Sequence, residues 1–127
     1  MTEEKMIALV SKYFRGWGQQ NFNIVAATLS EDCVFTVETH GVKLHGLEQI
    51  ASMFSRLWAN HKAIEYKDFS FVASPDGNRI AAQFTVASTE LDGSLTTRSN
   101  CNFFRIQDDK FTHIAVYMAG TNTLDIA

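Results

Sequence analysis

An α+β fold, in which a few helices cover one face of an antiparallel sheet, is what this sequence predicts. Three observations carry it. Helical patterns come first and strand patterns second. A Gly-led helical segment, Gly46 to Phe54, bridges the two halves. The four strand patterns that follow are separated only by short turn-forming stretches, so consecutive strands should pair as a meander. A sheet of this kind that curls around its helices encloses an apolar hollow.

The first helix is expected over Glu3 to Gln19, because Met6, Leu9, Val10, Tyr13, Phe14 and Trp17 recur at spacings of three and four. Thr2 suits the N-cap, and Glu3 and Glu4 suit the positive end of the helix dipole. A shorter helix over Asn23 to Leu29 turns Ile24, Val25 and Leu29 inward and is broken by Ser30-Glu31-Asp32. Cys33 to Glu38 reads as a strand rich in β-branched and aromatic residues. His40 to His45 is loop or short strand, and the third helix runs over Leu47 to Asn60 with Leu47, Ile50, Phe54, Leu57 and Trp58 on one stripe. The remaining strands are expected over Ala63 to Ala73, Arg79 to Glu90, Leu95 to Ile106 and Phe111 to Ala119. Ser74 to Asn78, Asp92-Gly93 and Gln107 to Asp109 separate them, all with turn chemistry.

No repeat, linker or low-complexity tract interrupts the 127 residues, so one domain spanning 1–127 is expected. Ten Phe, two Trp and three Tyr in so short a chain imply a core lined with aromatic rings. The net charge is -3 and the cations are scattered, which excludes the basic stripe of a nucleic-acid binder. No apolar run approaches the roughly 20 residues that span a bilayer, so no membrane role is expected. The acidic opening Met1 to Lys5 has no signal-peptide character, and Cys33 and Cys101 stand far from any CxxC spacing. Isolated thiols of this kind suit a reducing cytoplasm and read as buried small hydrophobes.

Strand alternation assigns faces. Phe84, Val86 and Ser88 share one side of their strand; Asn100, Asn102 and Phe104 share one side of the next; Ile114, Val116 and Met118 share one side of the last. Neither face of these strands is plainly polar. A homodimer through the outer sheet face is therefore expected, with scattered surface hydrophobes the plainer alternative. Of the four histidines, His61 ends a helix and suits its dipole, and His113 falls on the outer face. No metal-ligand spacing exists, while His40 or His45 could join an acid at the mouth of the hollow.

Several segments resemble one superfamily: Tyr13-Phe14 in the first helix, Leu29 to Asp32, His45 to Ile50, Phe84-Thr85-Val86, Asn102 to Ile106, and Val116-Tyr117. Together they are similar to the nuclear-transport-factor-2-like superfamily, in its SnoaL-like and ketosteroid-isomerase-like branch, over nearly the whole chain. That resemblance implies a cone-shaped α+β barrel with three N-terminal helices on a curved antiparallel sheet. It implies a small-molecule ligand, no cofactor, and, where there is catalysis, isomerisation, cyclisation or dehydration by acid–base chemistry. A non-catalytic carrier or sensor, or a dimeric interaction module of the same fold, is the alternative.

Ketosteroid isomerases use a carboxylate base, a tyrosine and a protonated acid. By that resemblance the tyrosine role falls on Tyr13 and the acid role on Asn102, an amide that donates without needing a raised pKa. The base role falls on Val37, which cannot take a proton, and Glu38 beside it would need a bulge to point inward. Glu90 shares a side with Phe84 and Val86 and reads as a hairpin-end charge. The expected ligand wall is Trp17, Phe35, Val37, Phe54, Trp58, Phe84, Val86, Asn100, Phe104, Ile114, Val116 and Met118, a cavity with no ionisable group of its own.

Overall fold

The structure, a computed structural model, describes residues 1–120; the expected domain runs past them at its C-terminal end. In chain order the elements are α1 (Glu3–Gly18), α2 (Phe22–Ala26), β1 (Leu29–Val37), a 3-10 turn (Glu38–His40), β2 (Val42–His45), α3 (Leu47–Ala59), β3 (His61–Ala73), β4 (Arg79–Glu90), β5 (Leu95–Gln107) and β6 (Lys110–Tyr117). This is an α+β arrangement with one six-stranded sheet, ordered β2-β1-β6-β5-β4-β3.

The helix starts follow their caps. Thr2 Oγ1 accepts the Lys5 amide at 3.2 Å, with Glu3 and Glu4 in the first turn of α1. The stripe Met6, Val10, Tyr13, Phe14 and Trp17 is buried. Asn21 Oδ1 accepts the Asn23 amide at 3.1 Å to open α2. That helix stops earlier than its apolar residues suggest. The Thr28 hydroxyl donates to the Val25 carbonyl at 2.6 Å, and the Thr28 carbonyl accepts the Phe111 amide at 2.8 Å. The chain is thus drawn into the sheet at Leu29, so β1 begins four residues before the expected Cys33.

Two features correct the sequence expectation. The meander β3–β6 is antiparallel, but β1 runs parallel to β6, Phe35 opposite Ile114 and Val37 opposite Val116. No tight turn joins these strands, so local chemistry does not set their direction; packing does. The three helices are also not all N-terminal to the sheet, as the resemblance implied; α3 follows the β1–β2 pair, as its place after the expected Cys33 to Glu38 strand already had it.

Aromatic rings fill the space between helices and sheet. Phe14 meets Phe84 at 4.6 Å, Phe69 at 5.1 Å and Tyr66 at 5.3 Å between centroids. Tyr13 stands edge-on to Phe104 and Phe111 at 5.4 and 5.8 Å. The outer face of the sheet carries Phe103 and Tyr117, 52% and 42% exposed and in edge contact at 5.7 Å.

Close approach of α1 to α2 depends on Gly16, where an added Cβ would lie 2.6 Å from Val25 Cγ2 and 2.7 Å from the Val25 amide nitrogen. The backbone atom cannot turn aside as a side chain can. Gly16→Ala should therefore destabilise the fold by about 1–3 kcal/mol in urea unfolding. Gly18→Ala, whose added Cβ would meet only Tyr66 at 4.0 Å, should not destabilise it.

Candidate functional site

The inward faces of β3 to β6 meet α1 and α3 around a narrow hollow in which about 50 Å³ is open to water-sized groups. That is room for roughly a few waters. Of the expected site residues, Tyr13, Trp17, Phe35, Phe84, Val86, Asn100, Asn102, Val116 and Met118 line this hollow together. Tyr13 and Asn102 come from opposite walls, helix and sheet, and are 2% and 3% exposed.

Five others do not line it. Val37 and Ile114 are fully enclosed in the core. Phe54 packs against Trp17 and Phe22, at 4.9 and 5.3 Å. Phe104 closes against Tyr13 and Phe111. Trp58 donates its indole N–H to the Trp17 carbonyl at 3.1 Å, holding the end of α1. These residues support the wall from behind.

Glu38 requires a correction. It lies past the end of β1, in the exposed 3-10 turn, and borders a groove on the outer face with His113, Phe103 and Tyr117. A tight turn, rather than a bulge, sets its direction, and that direction is away from Tyr13. The loop histidines are also elsewhere. His40 Nδ1 lies 3.0 Å from the Thr39 hydroxyl and His45 is exposed, and neither borders the hollow.

The expectation of a cavity without ionisable groups is overturned by His61 and Arg98, both of which line it. His61 begins β3 with its ring buried, Nδ1 2.7 Å from the Leu57 carbonyl oxygen. Its Nε2 lies 3.4 Å from Glu90 Oε2 across the strand pair. Glu90 Oε1 accepts the Ser88 hydroxyl at 3.2 Å, so the hairpin-end charge is joined to the hollow through two lining residues. Arg98 shares the inward parity of Asn100 and Asn102 on β5, a signal already present in the alternation. Its Nη1 donates to the Ala119 carbonyl at 2.7 Å, and the Ala119 amide donates to Asn100 Oδ1 at 3.2 Å. This double hold brings Met118 into the wall.

Burial sets the electrostatics. It pushes the Tyr13 phenol well above its ordinary range and does the same to Tyr66, so both stay neutral donors. The Trp17 indole pulls the Tyr13 value the other way without reaching hydrogen-bond geometry. Burial also pushes the Cys33 thiol up to about 12, which leaves it inert. Two enclosed polar atoms on lining residues, Asn102 Oδ1 and Trp17 Nε1, make no hydrogen bond among the described residues. Each such atom costs roughly 1–3 kcal/mol to leave unpaired.

The family model of the SnoaL-like domain matches residues 10–114, which spans both walls of the hollow. The chain belongs to the SnoaL-like family. Its structure is similar to that of a putative polyketide cyclase from a Silicibacter species, with TM-score 0.84 and 22% identity over 100% of this chain and 98% of that one. A second, from Xanthomonas campestris, gives TM-score 0.83 and 20% identity over 90% of each chain. A protein of ketosteroid isomerase-like fold from Catenulispora acidiphila, in complex with trimethylamine, gives 0.77 and 14% over 86% of this chain and 83% of that one. No curated protein matches the sequence. These likenesses show the nuclear-transport-factor-2-like, ketosteroid isomerase-like fold of this SnoaL-like chain. Among its described residues no helix is long and apolar enough to cross a membrane, and no group of three or more His, Cys, Asp or Glu could hold a metal.

A phenol whose folded-state pKa is raised favours the native state only while it stays protonated. Stability should therefore fall as the pH rises above the ordinary tyrosine value of 10 towards the higher folded values. Urea unfolding between pH 8 and 11 should show this loss, and Tyr13→Phe should reduce it while Tyr66 keeps its share.

Proposed function

We propose that this SnoaL-like chain is a small-molecule pocket protein whose ligand is an apolar cyclic compound bearing a carbonyl or hydroxyl. The curved sheet is read as a cone closing over the helices, with the hollow as its interior. The observation that carries this reading is the pair of unpaired buried atoms, Asn102 Oδ1 on the sheet wall and Trp17 Nε1 on the helix wall, in a cavity whose other lining residues are aromatic and aliphatic apart from His61, Ser88, Arg98 and Asn100. A ligand oxygen bearing a proton would satisfy an acceptor and a donor together, with the neutral Tyr13 hydroxyl as a further donor. Where the ligand reacts, isomerisation, cyclisation or dehydration is the class, and donors aimed at a developing oxyanion would be its main source of rate.

Ligand sites are typically several hundred Å³, so this hollow must widen on binding. Met118 is suited to that, being unbranched and seated on a segment held by two contacts to Ala119. Binding of 2-naphthol, followed through Trp17 and Trp58 fluorescence, tests the reading. Asn102→Leu should weaken it about 5–10-fold, as loss of one neutral hydrogen bond implies. Unchanged affinity would remove Asn102 from the site.

The narrowness of the hollow favours a second reading, an interaction module, and the outer face supplies its surface. An open groove of about 720 Å³ runs there past Phe103, Tyr117, Ala115 and Val72. We take this face as the homodimer contact. Phe103→Glu would place a charge in that contact and should shift sedimentation from dimer to monomer without altering the unfolding midpoint of the monomer.

A further inference from the structure

We propose that His61 is the proton-transfer group of the hollow and Glu90 its positioning partner, acting on an apolar compound with an acidic C–H beside a carbonyl. This rests on the reading of the hollow as a ligand site. His61 is the one imidazole among the described residues that lines the hollow. Its orientation is set from outside the cavity. The Leu57 carbonyl, 2.7 Å from Nδ1, can only accept, so Nδ1 carries a hydrogen and Nε2 is left as the atom that exchanges a proton. Nε2 lies 3.4 Å from Glu90 Oε2, near enough for the carboxylate to compensate a charge on the ring. An ionised carboxylate only accepts, so it leaves the Nε2 lone pair free.

Glu90 spans the wall. One oxygen accepts Ser88 Oγ at 3.2 Å, the other faces His61, and 30% of the side chain meets solvent. A proton taken up inside thus has a carboxylate at the rim to leave by. Arg98 stands on the adjoining rung of the sheet, opposite Val86 and next to the pair Ser88–Thr96, and adds a fixed positive charge to the same wall. In the proposed step the Nε2 lone pair takes the proton and the C–H electron pair becomes the double bond of an enolate. The enolate charge rests on oxygen, beside that cation and the neutral donors. Return of the proton to the enolate oxygen gives the enol tautomer. The step is redox-neutral and needs no co-reactant.

Turnover of 5-nitrobenzisoxazole tests this, because any base in an apolar cavity opens it. The base removes the ring C–H, its electron pair forms the nitrile, and the N–O bond breaks to release a coloured phenolate. Wild-type protein should accelerate this reaction, and saturating 2-naphthol should suppress it. His61→Gln keeps an amide able to donate to Leu57 but cannot take a proton. It should lower the rate about 100-fold or more, while probe binding, read by tryptophan quenching, and the unfolding midpoint stay unchanged. Glu90→Gln should lower kcat and leave KM in place. Should His61→Gln not fold, His61→Asn carries the same comparison. A probe that binds but is opened equally fast by the variant, or undiminished by 2-naphthol, overturns the role of His61 and leaves the hollow standing. Failure of wild-type protein to bind either the probe or 2-naphthol overturns the ligand-site reading, and this inference with it.

Discussion

Side-chain alternation along β5 is the constraint on which the site depends. Phe104 and Ile106 must be buried to complete the core, and the two-residue period then turns Asn102, Asn100 and Arg98 inward as well. A slip of one residue would exchange this set for Phe103, Arg105 and Cys101 and expel two core residues at once, so the register is strongly held. A strip of polar groups at intervals of roughly 7 Å is thereby carried into an aromatic interior. The core and the site are consequences of the same pairing.

The polar strip is only partly satisfied from within. Asn100 accepts the Ala119 amide and Arg98 donates to the Ala119 carbonyl, which draws the chain at Met118 and Ala119 across the wall. Asn102, deeper on the same strand, has no such neighbour for its amide oxygen. The contrast is informative because buried polar groups are paired with few exceptions, and each exception calls for a physical explanation. The helix wall repeats the pattern, with the Trp58 indole paired to a backbone carbonyl and the Trp17 indole unpaired.

Family membership and fold narrow the function without choosing among its chemistries, since folds of this kind host unrelated activities. The chemistry open to this chain depends on where its ionisable groups lie. The position next to β1 that could have supplied a carboxylate, Glu38, is turned to the outer face. The imidazole that reaches the interior comes from the junction of α3 and β3, held there by the last turn of the helix. The carboxylate beside β1 and the imidazole of the hollow thus lie on different sides of the sheet.

Much of this was legible in the sequence. The spacing of Met6, Val10, Tyr13, Phe14 and Trp17 determines the buried face of α1, because a helix repeats every 3.6 residues. The parity of β4 and β5 determines that Phe84, Val86, Asn100 and Asn102 share one side, and it applies equally to Arg98. These are local periodicities, and a chain carries them whatever it packs against. The parallel pairing of β1 with β6, the direction of Glu38 and the meeting of His61 with Glu90 were decided only by tertiary structure. In the last case the turn at Ser74 to Asn78, counted back from Ala73 opposite Ile80, would set Ala63 against Glu90. Two register shifts in β3, one near Asp68 at φ 57°, bring His61 there instead. A bulge depends on how two strands fit the layer above them, and no periodicity within either strand records it.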